Sequence, residues 1–143
     1  MKVKICGIKT VEAASHAVEN GADALGFVFA ESKRRITVLQ AQQVIADVPE
    51  HVWKVGVFVN EVAAEIKRIA ETAGLTHIQL HGDEIPEDYR SIGLPLIKAV
   101  SVKSPEDLVK IDTIIADYIL LDSPPAEYRG GNGSRDRKST RLN

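Results

Sequence analysis

The chain has 143 residues, of which 44% are hydrophobic and 27% charged, with one cysteine and a formal net charge of −2. That is the length of one domain with a real core and the composition of a soluble globular protein. One cysteine excludes an intramolecular disulfide framework and a cysteine-rich zinc site, and no apolar run reaches the roughly 20 residues of a membrane span. No signal-peptide pattern follows Met1, so a reducing, cytoplasmic location is expected. Residues 1–128 carry 13 basic and 19 acidic side chains, which argues against nucleic acid as a partner.

Val3 and Ile5 alternate with Lys2 and Lys4, the period of a short strand. Cys6 and Gly7 follow at its end, where the chain turns toward a helix. Thr10 has the character of an N-cap, with Glu12 in the first turn. A lone cysteine is most often a small buried hydrophobe, but the end of a strand beside a glycine is also where α/β folds keep their chemistry. Residues 11–20 read as an amphipathic helix ended by Gly21. Residues 24–29 are almost wholly apolar, as in a strand buried on both faces. A polar loop containing Ser32, Lys33, Arg34 and Arg35 leads to Thr37 and Gln40, spaced as a capping box for a helix over 38–47.

Residues 53–59 form a third apolar run, and Asn60 is expected to cap the next helix, which Gly74 stops. Residues 76–80 make a fourth short strand, ended by His81, Gly82 and Asp83. Pro86 suits the first turn of the helix after it. A fifth strand spans 94–100, and Ser104, Pro105, Glu106 and Asp107 open another helix. Residues 118–121 are a sixth strand with Asp122 at its end. Gly130, Gly131 and Gly133 follow in a loop whose amides could approach a phosphate. Residues 134–143 have one apolar member, Leu142, and no period, so disorder is expected there.

Strands alternating with helices through short connections mean a parallel sheet with right-handed crossovers. No strand leads into G-x-G-x-x-G, which weakens a dinucleotide-binding open sheet. Cys6, the Arg34 loop, Asn60, His81, Lys98 and Asp122 stand at successive strand ends, and a barrel would gather them at one mouth.

Six stretches then carry a family resemblance: Val3-Lys4-Ile5-Cys6-Gly7-Ile8; Gly21-Ala22-Asp23-Ala24-Leu25-Gly26-Phe27-Val28-Phe29; Ser32-Lys33-Arg34; Val55-Gly56-Val57-Phe58-Val59-Asn60; Gln79-Leu80-His81-Gly82-Asp83-Glu84; and Leu120-Leu121-Asp122 with Gly130-Gly131-Asn132-Gly133. In this order the chain resembles the phosphoribosylanthranilate isomerases of tryptophan biosynthesis over residues 1–133. The resemblance implies a TIM (β/α)8 barrel, here an incomplete barrel of about six parallel strands with outer helices. It implies an Amadori rearrangement of a small phosphosugar, with Cys6 as base and Asp122 as acid, and with no metal or redox cofactor. Arg34 would pair with the substrate's carboxylate, and Gly130, Gly131 and Gly133 would belong to a loop closing over the substrate. His81 is either a substrate-proximal group or a strand-end histidine bonded to backbone.

The resemblance stops at residue 133, before the family's seventh and eighth strands and the phosphate site they usually carry. A truncated copy with an unrelated tail over 134–143 is therefore expected, with little turnover as a monomer and self-association through open edges at the first and sixth strands. Two other readings compete. A related phosphosugar barrel, indole-glycerol phosphate synthase, relies on a lysine and glutamate pair that Cys6 and Asp122 fit less well. An inactive fragment without turnover is the reading from outside the enzymes.

Overall fold

A computed structural model describes residues 2–122 and 139–142. Six strands run in chain order: β1 (Lys2–Cys6), β2 (Ala24–Val28), β3 (Trp53–Phe58), β4 (His77–Leu80), β5 (Leu96–Ser101) and β6 (Tyr118–Asp122). Each is parallel to the one before it, in the order β6-β5-β4-β3-β2-β1. This is an incomplete barrel, as the alternation of apolar runs and capped helical periods requires. The helices between them are α1 (Val11–Glu19), α2 (Val38–Ile45), α3 (Ala63–Ala73) and α4 (Pro105–Ile111). After β4 the expected helix is instead a 3-10 helix over Pro86–Ile92, stopped by Gly93 in the left-handed region at φ 83°.

The caps explain the helix starts. Thr10 accepts from the Ala13 amide at 3.0 Å, and Thr37 and Gln40 form the reciprocal capping box. Asn60 does not cap α3, whose N-cap is Val62. It sits at φ 52°, and its Oδ1 accepts from the Asp83 amide at 2.9 Å. Its oxygen is thus committed to the next loop, and α3 starts without a side-chain cap.

The sheet has two faces. Leu25, Phe27, Phe58, Ile78, Leu80 and Leu96 face the helices and form the main core with Ala41, Val44, Ile66 and Ile69. Every residue of β2 is buried, as expected for a strand covered on both sides. The opposite, inner face carries a smaller cluster of Ala24, Val55, Ile97 and Leu120, bordered by Trp53, Ala99 and Tyr118.

A seventh strand, β7 (Ser139–Leu142), pairs antiparallel with β1, Lys2 opposite Leu142 and Ile5 opposite Ser139. The expectation of an open first strand is corrected here, and of the tail expected to be disordered, residues 134–138 and 143 lie outside the described residues. The unpaired amides and carbonyls on the outer edge of β1 are a template for any extended segment, and backbone pairing requires no apolar side chains.

Candidate active site

Cys6 ends β1, half-buried, on the inner face. It is in register with Gly26 of β2. A β-carbon built on Gly26 would lie 2.9 Å from Cys6 Sγ and 3.2 Å from its Cα. Glycine there is what lets the thiol lie over the neighbouring strand. The Gly26 carbonyl accepts from both the Gly7 and Ile8 amides at 3.0 Å, so the turn after Cys6 is pinned to β2. Gly7 has φ 84°, a conformation glycine adopts without strain.

Arg34 meets the same turn. A β-carbon on Gly7 would lie 2.5 Å from Arg34 Cδ and 3.1 Å from its Nη1. The guanidinium is therefore laid across the glycine next to Cys6. Its loop is held by the Arg34 amide, which donates to Ser32 Oγ at 3.0 Å, and by the Ile36 amide, which donates to the Val28 carbonyl at 2.9 Å. Arg35 points elsewhere and faces Glu31 at 3.6 Å on the surface.

His81 follows β4 at the same end, exposed, with its amide donating to the Phe58 carbonyl at 2.9 Å. Its ring Nδ1 lies 2.9 Å from Gln79 Nε2. The ring therefore belongs to a side-chain network with Gln79. Asp122 closes β6 opposite Ser101 of β5, by backbone register at the end of the sheet that holds Cys6. Its side chain, and the loop with Gly130, Gly131 and Gly133, lie outside the described residues.

Two further polar groups are buried near the site, Lys4, which shares a strand face with Cys6, and Glu84, to which sequence reasoning gave no role. Lys4 is 1% exposed on the inner face, and its Nζ donates to Gln79 Oε1. Burial pushes the Lys4 ammonium toward its neutral form, Cys6 opposes this and Arg34 adds to it. Glu84, almost wholly buried, accepts from the Asn60 amide at 2.6 Å, from the Gly82 amide at 2.8 Å and from Lys98 Nζ at 3.3 Å. Lys98 therefore does not join the mouth, as its place near a strand end had suggested. It shares the helix-facing side of β5 with Leu96, stands beside Leu80 and braces the loop after β4. The signal for Gln79 was its spacing, since His77, Gln79 and His81 recur every second residue on one face of a strand.

Among the described residues no group of three or more His, Cys, Asp or Glu side chains is gathered as a metal site. No helix among them is long and apolar enough to cross a membrane. A cleft of about 880 Å³ lined by Phe29, Ile36, Phe58, Glu65 and Arg68 lies outside this constellation and contains none of Cys6, Arg34 or His81.

Residues 3–136 match the family described as N-(5'phosphoribosyl)anthranilate (PRA) isomerase. The N-(5'-phosphoribosyl)anthranilate isomerase of Bacillus mycoides (strain KBAB4) is 56% identical over 133 residues, which are 93% of this chain and 65% of that protein. The chain thus spans less than two thirds of that relative's length. A Thermus thermophilus phosphoribosyl anthranilate isomerase superposes with a TM-score of 0.80 at 40% identity, over 87% of this chain and 64% of that one. Another phosphoribosyl anthranilate isomerase, solved in complex with reduced 1-(o-carboxyphenylamino)-1-deoxyribulose 5-phosphate, superposes with a TM-score of 0.77 at 39% identity, over 89% and 69% of the two chains. With a match that spans nearly the whole chain and a strand end built around Cys6, Gly7 and Arg34, the chain belongs to the N-(5'-phosphoribosyl)anthranilate isomerase family.

Proposed function

We propose that the barrel to which these six βα units belong isomerises N-(5'-phosphoribosyl)anthranilate, an Amadori rearrangement within tryptophan biosynthesis, in the reducing cytoplasm. The observation that carries this reading is Arg34 lying across Gly7 beside the Cys6 thiol. The reaction needs one acid and one base on opposite sides of a small substrate. Asp122 gives a proton to the ribose ring oxygen, the bond from that oxygen to carbon 1 breaks, and the nitrogen lone pair forms a protonated imine. Cys6 then takes the proton from carbon 2, and the electrons of that C–H bond form an enolamine. Tautomerisation returns a proton to carbon 1 and leaves the ketone, so atoms and charge balance without an external reductant. Arg34 holds the substrate carboxylate through two parallel hydrogen bonds, for which a guanidinium is shaped.

The reading extends to self-association. Among the described residues β6 is hydrogen-bonded on one side only, to β5. Leu108, Val109, Ile115 and Leu121, in and around α4 and β6, are exposed apolar side chains. Sedimentation at rising concentration is expected to show species larger than the monomer.

The catalytic test is complementation of a bacterial strain lacking this isomerase. The chain is supplied with the last third of the Bacillus mycoides relative on a second plasmid. Growth without tryptophan that is lost in Cys6→Ala is the expected result. Growth that persists in Cys6→Ala, or no growth from a pair shown to associate, would remove the reading.

A further inference from the structure

β7 stands in the gap between the two edges of the sheet. It is paired with β1, and where it approaches β6 their Cα atoms lie within 8 Å. Neighbouring strands are about 4.8 Å apart, so a strand inserted between β7 and β6 would need about 9.6 Å. With β7 in place the gap is too narrow for even one more strand. A barrel of this family closes with parallel strands, the last beside the first, whereas β7 runs antiparallel to β1. It holds the edge that a closing strand needs, in the wrong direction to continue the barrel.

The backbone shows which groups hold it there. The Val3 amide donates to Asp23 Oδ2 at 2.9 Å, and the Val3 carbonyl accepts from the Asp23 amide at 2.9 Å. The peptide groups of Val3 therefore face β2. Backbone groups of successive strand residues point to opposite sides, so Lys2 and Lys4 direct theirs to the outer edge. Leu142 and Thr140 stand opposite them. β7 is four residues long, against six in β3. Leu142 is its one apolar residue, so it has little apolar surface to bury. A short polar strand at an edge opens at lower cost than the strands of a core.

We propose that Ser139–Leu142 is a displaceable strand that blocks the outer edge of β1 against the closing strand of the barrel, so that this segment inhibits completion of the barrel by a second polypeptide. The proposal rests on the closed barrel of the family and not on the isomerase reading. Only chains with β7 detached can take up the closing strand. An edge open one tenth of the time would weaken apparent binding about tenfold.

The test compares the full chain with Thr140→Pro/Leu142→Pro, which removes the two amides aimed at β1 and leaves β1 to β6 untouched. The probe is the purified last third of the Bacillus mycoides relative, fluorescently labelled and titrated by anisotropy at concentrations where both chains sediment as monomers. The variant is expected to bind it about tenfold more tightly or better. Hydrogen exchange followed by NMR reports the edge directly. The Lys4 amide is expected to exchange faster in the variant, while the Val3 amide, bonded to Asp23, keeps its protection. Equal affinities of the two chains, or no binding by the variant, would overturn the proposal. So would unchanged Lys4 exchange in a variant whose amide spectrum shows the native fold. Should the double variant not fold, Thr140→Pro alone decides by the same two measurements. Neither readout involves turnover, so failure of the isomerase reading and failure of this proposal are separate results.

Discussion

At Cys6 the decisive feature is the room given by its neighbours. Gly26 clears space for the sulfur and Gly7 clears space for Arg34. In a barrel competent for turnover, Cys6→Ala and Asp122→Asn are each expected to lower kcat by about 10²–10⁴-fold, the usual contribution of a general acid or base, with little change in KM. Arg34→Ala is expected to raise KM chiefly. Steady-state kinetics separates the two patterns, and a Cys6→Ala enzyme with native kcat would end the base assignment. Gly7→Ala tests the geometry without touching a charged group. Its φ of 84° costs an L-residue about 1–2 kcal/mol, and the new methyl would push Arg34 away from a 2.5 Å approach. The expected outcome is a modest loss of stability in urea denaturation together with a KM raised in the manner of Arg34→Ala.

Among the elements, the loop after β4 is held by one carboxylate. Glu84 collects two backbone amides and Lys98 Nζ, with side-chain exposures of 1% for Glu84 and 10% for Lys98. Removing one partner of a buried pair typically costs about 3–5 kcal/mol, because the other is left uncompensated. Glu84→Gln is expected to lose stability on that scale, and adding Lys98→Met to recover part of it, as urea denaturation of the three proteins would show. A double variant no more stable than Glu84→Gln would mean that Lys98 is not the group left stranded. The same loop shows where sequence legibility ends. The six strands and the Thr10 and Thr37 caps were readable because alternation and capping are local patterns. Cys6 and Arg34 were singled out by their place after strands and by resemblance, and the structure brings the two together at Gly7. Asn60 was misread as a cap because its competitor, the Asp83 amide, is 23 residues away. Lys98 was misplaced because its partner Glu84 is set by tertiary structure and not by spacing. Ser139–Leu142 carries no apolar pattern, and the backbone pairing that places it beside β1 leaves no local signal in the sequence.

Across the whole molecule the two ends of the inner face differ in kind. Among the described residues the Cys6 end carries polar groups, whereas the other end is packed by rings. Trp53 stacks on His77 with centroids 3.7 Å apart, Tyr118 tilts against Trp53 at 5.0 Å, and Lys2 Nζ lies 4.8 Å from the Trp53 ring. These residues come from β1, β3, β4 and β6, so the stack ties much of the sheet together. Burial, with help from the Lys2 charge and against the pull of Asp117, holds the His77 pKa down at about 4. In the unfolded chain an imidazole titrates near 6.5. As pH falls below that value the unfolded state takes up a proton that the folded state refuses, so His77 costs stability from about pH 6.5 down to about pH 4. Its contribution is whole above 6.5, and the loss levels off once the native ring protonates. The slope is at most about 1.4 kcal/mol per pH unit for one proton. His77→Phe keeps a ring in the stack, and the Thr76 hydroxyl that faces Nδ1 at 2.8 Å retains the Lys54 carbonyl at 3.3 Å. Urea denaturation of both proteins at pH 7.5, 5.5 and 4.5 is expected to show the wild type losing more stability than His77→Phe on acidification. Carboxylate titration is common to both proteins and cancels in the comparison, except at Asp117, which feels the His77 charge. Parallel stability profiles would show that the ring stack tolerates a charged imidazole and that acid sensitivity arises elsewhere in the sheet.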